Sequence, residues 1–114
     1  QAHGAHITTA YSLHEQGMAN VLAQIPDGGP YYLTIDADGL DPTIMPGVMA
    51  QTPGGVTWPQ IHSLIHGLAK KGNMVGMDLV EIAPSRDVGG ITLVHAERLI
   101  CNFIGAWVRA NKFA

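Results

Sequence analysis

Tyr31-Tyr32-Leu33-Thr34-Ile35-Asp36-Ala37-Asp38-Gly39-Leu40-Asp41-Pro42 is an apolar, β-prone run that ends abruptly in carboxylates and a Gly/Pro turn. In an α/β sheet, ligands and reacting groups collect just beyond the carboxyl ends of strands. Asp36 and Asp38 stand two apart, so in an extended strand end they point the same way and can share one site. Two carboxylates converging in this manner repel each other and resist ionisation unless positive charge lies between them. A hard divalent metal, which takes oxygen ligands, supplies such a charge.

Working outward, the chain alternates strand and helix. Ile7 to Tyr11 reads as a short β-prone run, and His14 to Ile25 as a helix with Met18, Val21, Leu22 and Ile25 at helical spacing. Pro26-Asp27-Gly28-Gly29-Pro30 is turn punctuation before the strand Tyr31 to Asp36, which is apolar enough to be covered on both faces. Gly39 to Pro59 is a Gly- and Pro-rich loop, long enough inside a compact domain to suggest function. Thr57-Trp58-Pro59-Gln60 has capping-box spacing, Ile61, Leu64, Ile65 and Leu68 form a buried stripe, and Gly72 supplies the stop signal. Met74 to Val80 is the next strand, ending at Glu81. The last helix, from about Thr92 to Asn111, has Leu93, Ala96, Ile100, Phe103, Ile104 and Trp107 as its expected core face. Strands alternating with helices imply an α/β fold with a parallel sheet and right-handed crossovers.

Composition narrows the function classes. A chain of 114 residues is the size of one small domain, and 46% hydrophobic with 13% charged residues fits a globular protein with a buried sheet. A net charge of −3 gives no basic stripe for nucleic acid. No apolar run reads as a membrane span, and the N-terminus lacks the layout of a signal peptide. The single cysteine, Cys101, rules out an internal disulfide and is compatible with a reducing, cytoplasmic location. The start at Gln1, with no lead-in, reads as a cut.

Parallel strands bring Asp36, Asp38 and Glu81 to one edge of the sheet, a convergence that composition does not force. The plain alternative for Asp36 and Asp38 is capping or turn formation. Asp41, before Pro42, is expected to tie down its loop through an Asx-type hydrogen bond, and Asp78, inside a strand, to pair with a buried group. His62 and His66, at i and i+4, have a spacing that can hold zinc. Yet Ser63 replaces the glutamate of a zinc-protease helix, and both lie toward the polar flank of the stripe. His95 falls on the expected solvent side of the last helix, and His3, His6 and His14 lie near the first residue; position alone gives none of them a role.

Thr34-Ile35-Asp36-Ala37-Asp38-Gly39-Leu40-Asp41-Pro42 resembles the Asp-x-Asp-x-x-Asp-Pro signature of the ureohydrolases: arginase, agmatinase and their relatives. The resemblance continues through Pro46-Gly47 and Pro53-Gly54-Gly55-Val56-Thr57, then Gly76-Met77-Asp78-Leu79-Val80-Glu81-Ile82-Ala83-Pro84, and spans nearly the whole chain. It implies a three-layer α/β/α fold with a parallel sheet and hydrolysis of a guanidino compound to urea and an amine by a hydroxide bridging two manganese ions. By similarity Asp36 and Asp38 are metal ligands and Glu81 receives the guanidinium. A bidentate carboxylate fork suits a guanidinium, and paired metals activate water. The resemblance also implies a homo-oligomer, trimeric or hexameric, and the wording around Glu81 leans toward an agmatinase-like member.

Two departures stand out. Met49-Ala50-Gln51 occupies the place of a Gly-Thr-Pro in the family, so a threonine supporting the glutamate is missing unless Gln51 or Thr52 substitutes after a loop shift. The family's remaining ligands, a histidine and an Asp-x-His-x-Asp motif, lie earlier in its sequence and have no counterpart among these residues. The expectation is therefore the C-terminal portion of a single arginase-like domain, residues 1–114, inactive by itself and with its general acid and base upstream. Two readings compete. Asp36-Ala37-Asp38-Gly39 resembles the nucleophile loop of haloacid-dehalogenase phosphohydrolases, with Asp36 attacking phosphorus, although Leu40 and the single Asp78 argue against it. A non-catalytic fragment, associating through an exposed edge strand, is the other.

Overall fold

A computed structural model of the chain describes residues 4–110. Helices α1 (Ala10–Gln16) and α2 (Met18–Ala23) precede strand β1 (Gly28–Asp36). A 3-10 turn (Ala37–Gly39) and a long loop lead to helix α3 (Trp58–Lys71), strand β2 (Gly72–Val80), a second 3-10 turn (Pro84–Arg86) and helix α4 (Ile91–Arg109). The strands pair in parallel, with Leu33 beside Met77, Thr34 beside Asp78 and Asp36 beside Val80. This is the expected α/β arrangement.

Several local expectations are corrected. Ile7 to Tyr11 forms no strand: Thr9 caps α1 instead, its hydroxyl accepting the Ser12 N–H at 3.1 Å. The helix expected over 14–25 is broken at Gly17, whose φ of 84° lies in the left-handed region that glycine occupies without cost. His3 and the helix end expected at Asn111 lie outside the described residues.

α3 follows the sequence closely. Pro59 sits in its first turn, the Thr57 N–H donates to Gln60 Oε1 at 3.0 Å, and Ile61, Ile65 and Leu68 are buried with Leu64 partly so. Gly72 ends the helix, but not as a left-handed cap. Its backbone is extended (φ −174°), and a Cβ there would come within 2.5 Å of the Gly28 carbonyl carbon. Glycine is required because the two strand starts are pressed together, not because the helix must reverse.

The core joins Leu33 and Ile35 of β1, Met74 of β2, Ile61, Ile65 and Leu68 of α3, and Ala96, Leu99, Phe103 and Ala106 of α4, with Leu40 and Met45 from the loop. Along β1 burial alternates: Leu33 and Ile35 are buried, Tyr32, Thr34 and Asp36 exposed. The expectation that this strand is covered on both faces is therefore not met among the described residues, where helices cover one face only. On the open face Tyr32 and Thr34 both donate to the Asp78 carboxylate, the Tyr32 bond at 3.0 Å. Asp78 is thus paired, but with exposed residues rather than with the buried group expected. The hydrogen bond to Asp78, reinforced by partial desolvation and the carboxylate's charge, raises the Tyr32 phenol above its ordinary pKa.

α4 departs furthest. Its buried residues are Thr92, Ala96, Leu99, Phe103 and Ala106, whereas Leu93, Ile100 and Ile104, expected in the core, are 49%, 44% and 48% exposed. Over its 19 residues α4 is also long and apolar enough to cross a membrane, which corrects the reading that no segment is. Its inner face is committed to α3, and Glu97 and Arg98 lie mid-helix.

Candidate active site

Both strands end at the same edge. Asp36 is in register with Val80, so Glu81 follows one residue beyond the paired strand ends. The chain does not continue extended to Asp38: it turns into a 3-10 helix, and Asp36 caps that turn by accepting the Asp38 N–H at 2.9 Å. Asp36 thereby fills the capping role weighed as its plain alternative, while its exposed carboxylate keeps a second oxygen for other partners. Asp38 differs. Its Oδ1 is buried and has no hydrogen-bond partner among the described residues. An acceptor-only oxygen in that condition is costly unless a cation or donor meets it. Asp36 and Asp38 therefore fit a hard cation as two of its oxygen ligands.

Glu81 is exposed and has φ of 67°, the only non-glycine with positive φ among the described residues. Such a conformation costs free energy and persists only where the surroundings enforce it. The enforcement comes from the residues that follow. The Ala83 N–H donates to the Gly47 carbonyl at 2.7 Å, and Val48 bridges Ile82. Gly47 in turn donates to the buried Thr92 hydroxyl at 2.7 Å. A Cβ on Gly47 would lie 2.9 Å from that oxygen and 3.1 Å from the Asp87 Cα, so only glycine lets the loop approach the start of α4 this closely. Asp87 completes the chain of contacts, accepting N–H bonds from Val88 (2.8 Å), Thr92 (2.9 Å) and Leu93 (3.2 Å). Burial alone would raise its pKa, but the bonds from Thr92, Leu93 and Val88 together outweigh burial and lower it.

The loop over 39–57 is fastened at its mouth too. Asp41 N–H donates to Val56 at 2.9 Å and Val56 N–H to Gly39 at 3.0 Å. The Asp41 carboxylate accepts the Thr43 hydroxyl (2.6 Å), the Thr43 N–H (3.0 Å) and the Gly54 N–H (3.0 Å). Those bonds, the Thr43 hydroxyl foremost, lower the Asp41 pKa, and they are the Asx-type tie expected of it. Gln51 donates to the Pro46 carbonyl at 2.7 Å and the Thr52 hydroxyl to Ala50 at 3.3 Å. The partners of both residues thus lie within the loop rather than at Glu81.

Two histidines given no role have partners here. His14 meets the Gly54 carbonyl through Nε2 and Gln60 through Nδ1, each at 2.9 Å, beside a cavity of about 450 Å³ that also touches Gly39, Thr52 and Pro53. His95 is half-buried rather than on the solvent side, its Nδ1 2.7 Å from the Ile44 carbonyl and its ring 5.5 Å from Trp58. Sequence reading missed Asp87 and Thr92 as well. The one available signal was an Asp just ahead of Gly89-Gly90 and an apolar run, a helix-start pattern.

Among the described residues no three His, Cys, Asp or Glu side chains converge as a complete metal site requires. A model of the arginase family matches residues 1–105. Agmatinase of Chromobacterium violaceum is 36% identical over 104 residues, a match covering 89% of this chain and 32% of that protein. A hypothetical agmatinase from Burkholderia thailandensis superposes with a TM-score of 0.86 at 33% identity, over 98% of this chain and 36% of that one. Proclavaminate amidino hydrolase from Streptomyces clavuligerus gives 0.87 at 28% identity, over 96% and 38%. The chain spans about a third of the length of the curated relatives it matches (32% and 36%).

Proposed function

Because the chain belongs to the arginase family, whose model matches residues 1–105, we propose that it carries part of the active site of a metal-dependent ureohydrolase. The reaction is hydrolysis of a guanidino compound, agmatine-like, to urea and an amine. The observation that carries this reading is the buried Asp38 oxygen without a hydrogen-bond partner, beside Asp36 on the edge where Glu81 emerges.

Asp36 and Asp38 hold the metal, and the donor set is of the oxygen type that manganese accepts. Manganese, when bound as a pair, supplies Lewis-acid polarisation and activation of water at neutral pH. Glu81 orients the guanidinium through a charge-assisted fork, carried on a backbone that the loop contacts enforce. The strand register sets Asp36 beside Val80, and the pinned loop holds the segment after Glu81 by joining residues 47–48 to 82–83.

The residues are the C-terminal portion of an arginase-like domain, and the other ligands and the general acid and base come from outside them. A cytoplasmic location and a trimeric or hexameric homo-oligomer belong to the same proposal. The test is Mn²⁺ titration of the 114-residue chain. Weak binding, lost in D36N/D38N, and no urea from agmatine support the reading. Undiminished Mn²⁺ affinity in that double variant sinks the ligand assignment, and urea release by the chain alone sinks the claim that the site is incomplete.

A further inference from the structure

His62 and His66 lie one helical turn apart on α3, remote in sequence from the carboxylates and unused by the proposed chemistry. Both are half-buried, and their ring centroids are 4.3 Å apart with the planes 35° from parallel. The hydrogen-bond chain behind His66 decides which of its nitrogens is free. Asn102 Nδ2 donates to the Arg98 carbonyl at 2.8 Å, and this identifies the other end of the amide as the oxygen. That oxygen, Oδ1, lies 3.1 Å from His66 Nε2. An amide oxygen only accepts, so Nε2 carries the proton, and in the neutral ring Nδ1 then presents a lone pair. A ring nitrogen donating to a carbonyl-type oxygen while the other stays basic is how proteins orient a histidine that binds metal.

We propose that His62 and His66 form a binding site for a borderline divalent transition ion (Zn²⁺, Ni²⁺ or Cu²⁺), with Asn102 as a positioning residue and water completing the shell. Imidazole suits these ions, whereas carboxylate and water suit Mn²⁺ and Mg²⁺, so the pair and the carboxylate edge select different metals. Arg98 and Arg109 line the adjoining cavity of about 230 Å³ together with His66, and their charge keeps the affinity modest.

The test is a Zn²⁺ and Ni²⁺ titration of the 114-residue chain, read by calorimetry and by the imidazole resonances. Expected are one saturable equivalent, with His62 and His66 the perturbed rings, and loss of that binding in His62→Gln or His66→Gln. Glutamine keeps the bulk and polarity of each position, and the dispersion of the methyl resonances reports that the variants fold. Asn102→Ala weakens binding by about 10- to 100-fold. Binding persists in D36N/D38N and in excess Mn²⁺, which separates this site from the proposed active site. The inference is overturned by a chain that shows no saturable Zn²⁺ or Ni²⁺ binding. Binding that survives the double glutamine variant, or an Asn102→Ala variant equal to the parent, overturns it as well.

Discussion

α3 packs on the small sheet and α4 packs on α3, yet only α3 can be read correctly from its periodicity. On α3 the apolar residues make one stripe with polar residues on its flanks, so helical spacing and burial select the same positions. α4 is apolar over more than one stripe, with Glu97, Arg98, Asn102 and Arg109 on the remainder. Leu93, Ile100 and Ile104 recur at helical spacing as faithfully as Ala96, Leu99, Phe103 and Ala106, and only the presence of α3 decides which set turns inward. The winning stripe contains two alanines, which let the helix axes approach, beside Leu99 and Phe103, which fill the core. Periodicity shows that a face exists. It cannot choose between two faces on a helix that has both.

The starts of the two helices differ as sharply. α3 begins on an uncharged Thr57–Gln60 contact, α4 on the Asp87 carboxylate. Substitutions and acid exploit that contrast. Leu99→Ala on the inner stripe, at 0% exposure, is expected to destabilise the chain by about 2–5 kcal/mol in denaturant unfolding, and Ile65→Ala on the facing helix by a similar amount. Thr92→Val deprives the Gly47 N–H of its buried acceptor and is expected to cost about 1–3 kcal/mol. The same measurement checks it, and equal stability would mean that the loop shifts to find water. Acid should separate the two helix starts. The Asp87 pKa is depressed in the folded state, so its contribution is complete above the ordinary carboxylate value and is lost as pH falls through the depressed one. Amide exchange at Thr92 and Leu93 is expected to lose protection over that window, while Ile61 on α3 keeps its own. Smallest of all, Ile104→Ser on the outer stripe is expected to stay within about 0.5 kcal/mol of the parent. A large loss there would show that the outer stripe is packed in solution, against another copy of the chain or another segment.

What was legible in the sequence follows the same division. The strand carrying Asp36, the helix over 58–71 and the strand before Glu81 are each marked by local chemistry: a turn cluster, a capping pair, an abrupt change from apolar to charged. The break at Gly17 and the capping of α1 by Thr9 depend on single-residue geometry inside a short segment, where a β-prone run and a helix start look alike. At the candidate site, Asp36, Asp38 and Glu81 stand out in the sequence because carboxylates at strand ends are conspicuous, and the loop tie by Asp41 is legible because an Asx turn is local. The link from Gly47 to Thr92 was invisible: it joins a backbone N–H to a side-chain hydroxyl 45 positions away. The same holds for His95, whose partner carbonyl at Ile44 is 51 positions away.

The left-handed backbone at Glu81 sets stability and side-chain identity against each other. Glycine would relax that residue and, judged by folding alone, improve the chain, because only glycine adopts such a φ freely. It would also remove the one carboxylate that the turn holds out beyond the sheet. A population selected for thermal resistance alone should therefore drift toward glycine at position 81, and one selected for the proposed guanidinium capture should hold glutamate there and tolerate the strain.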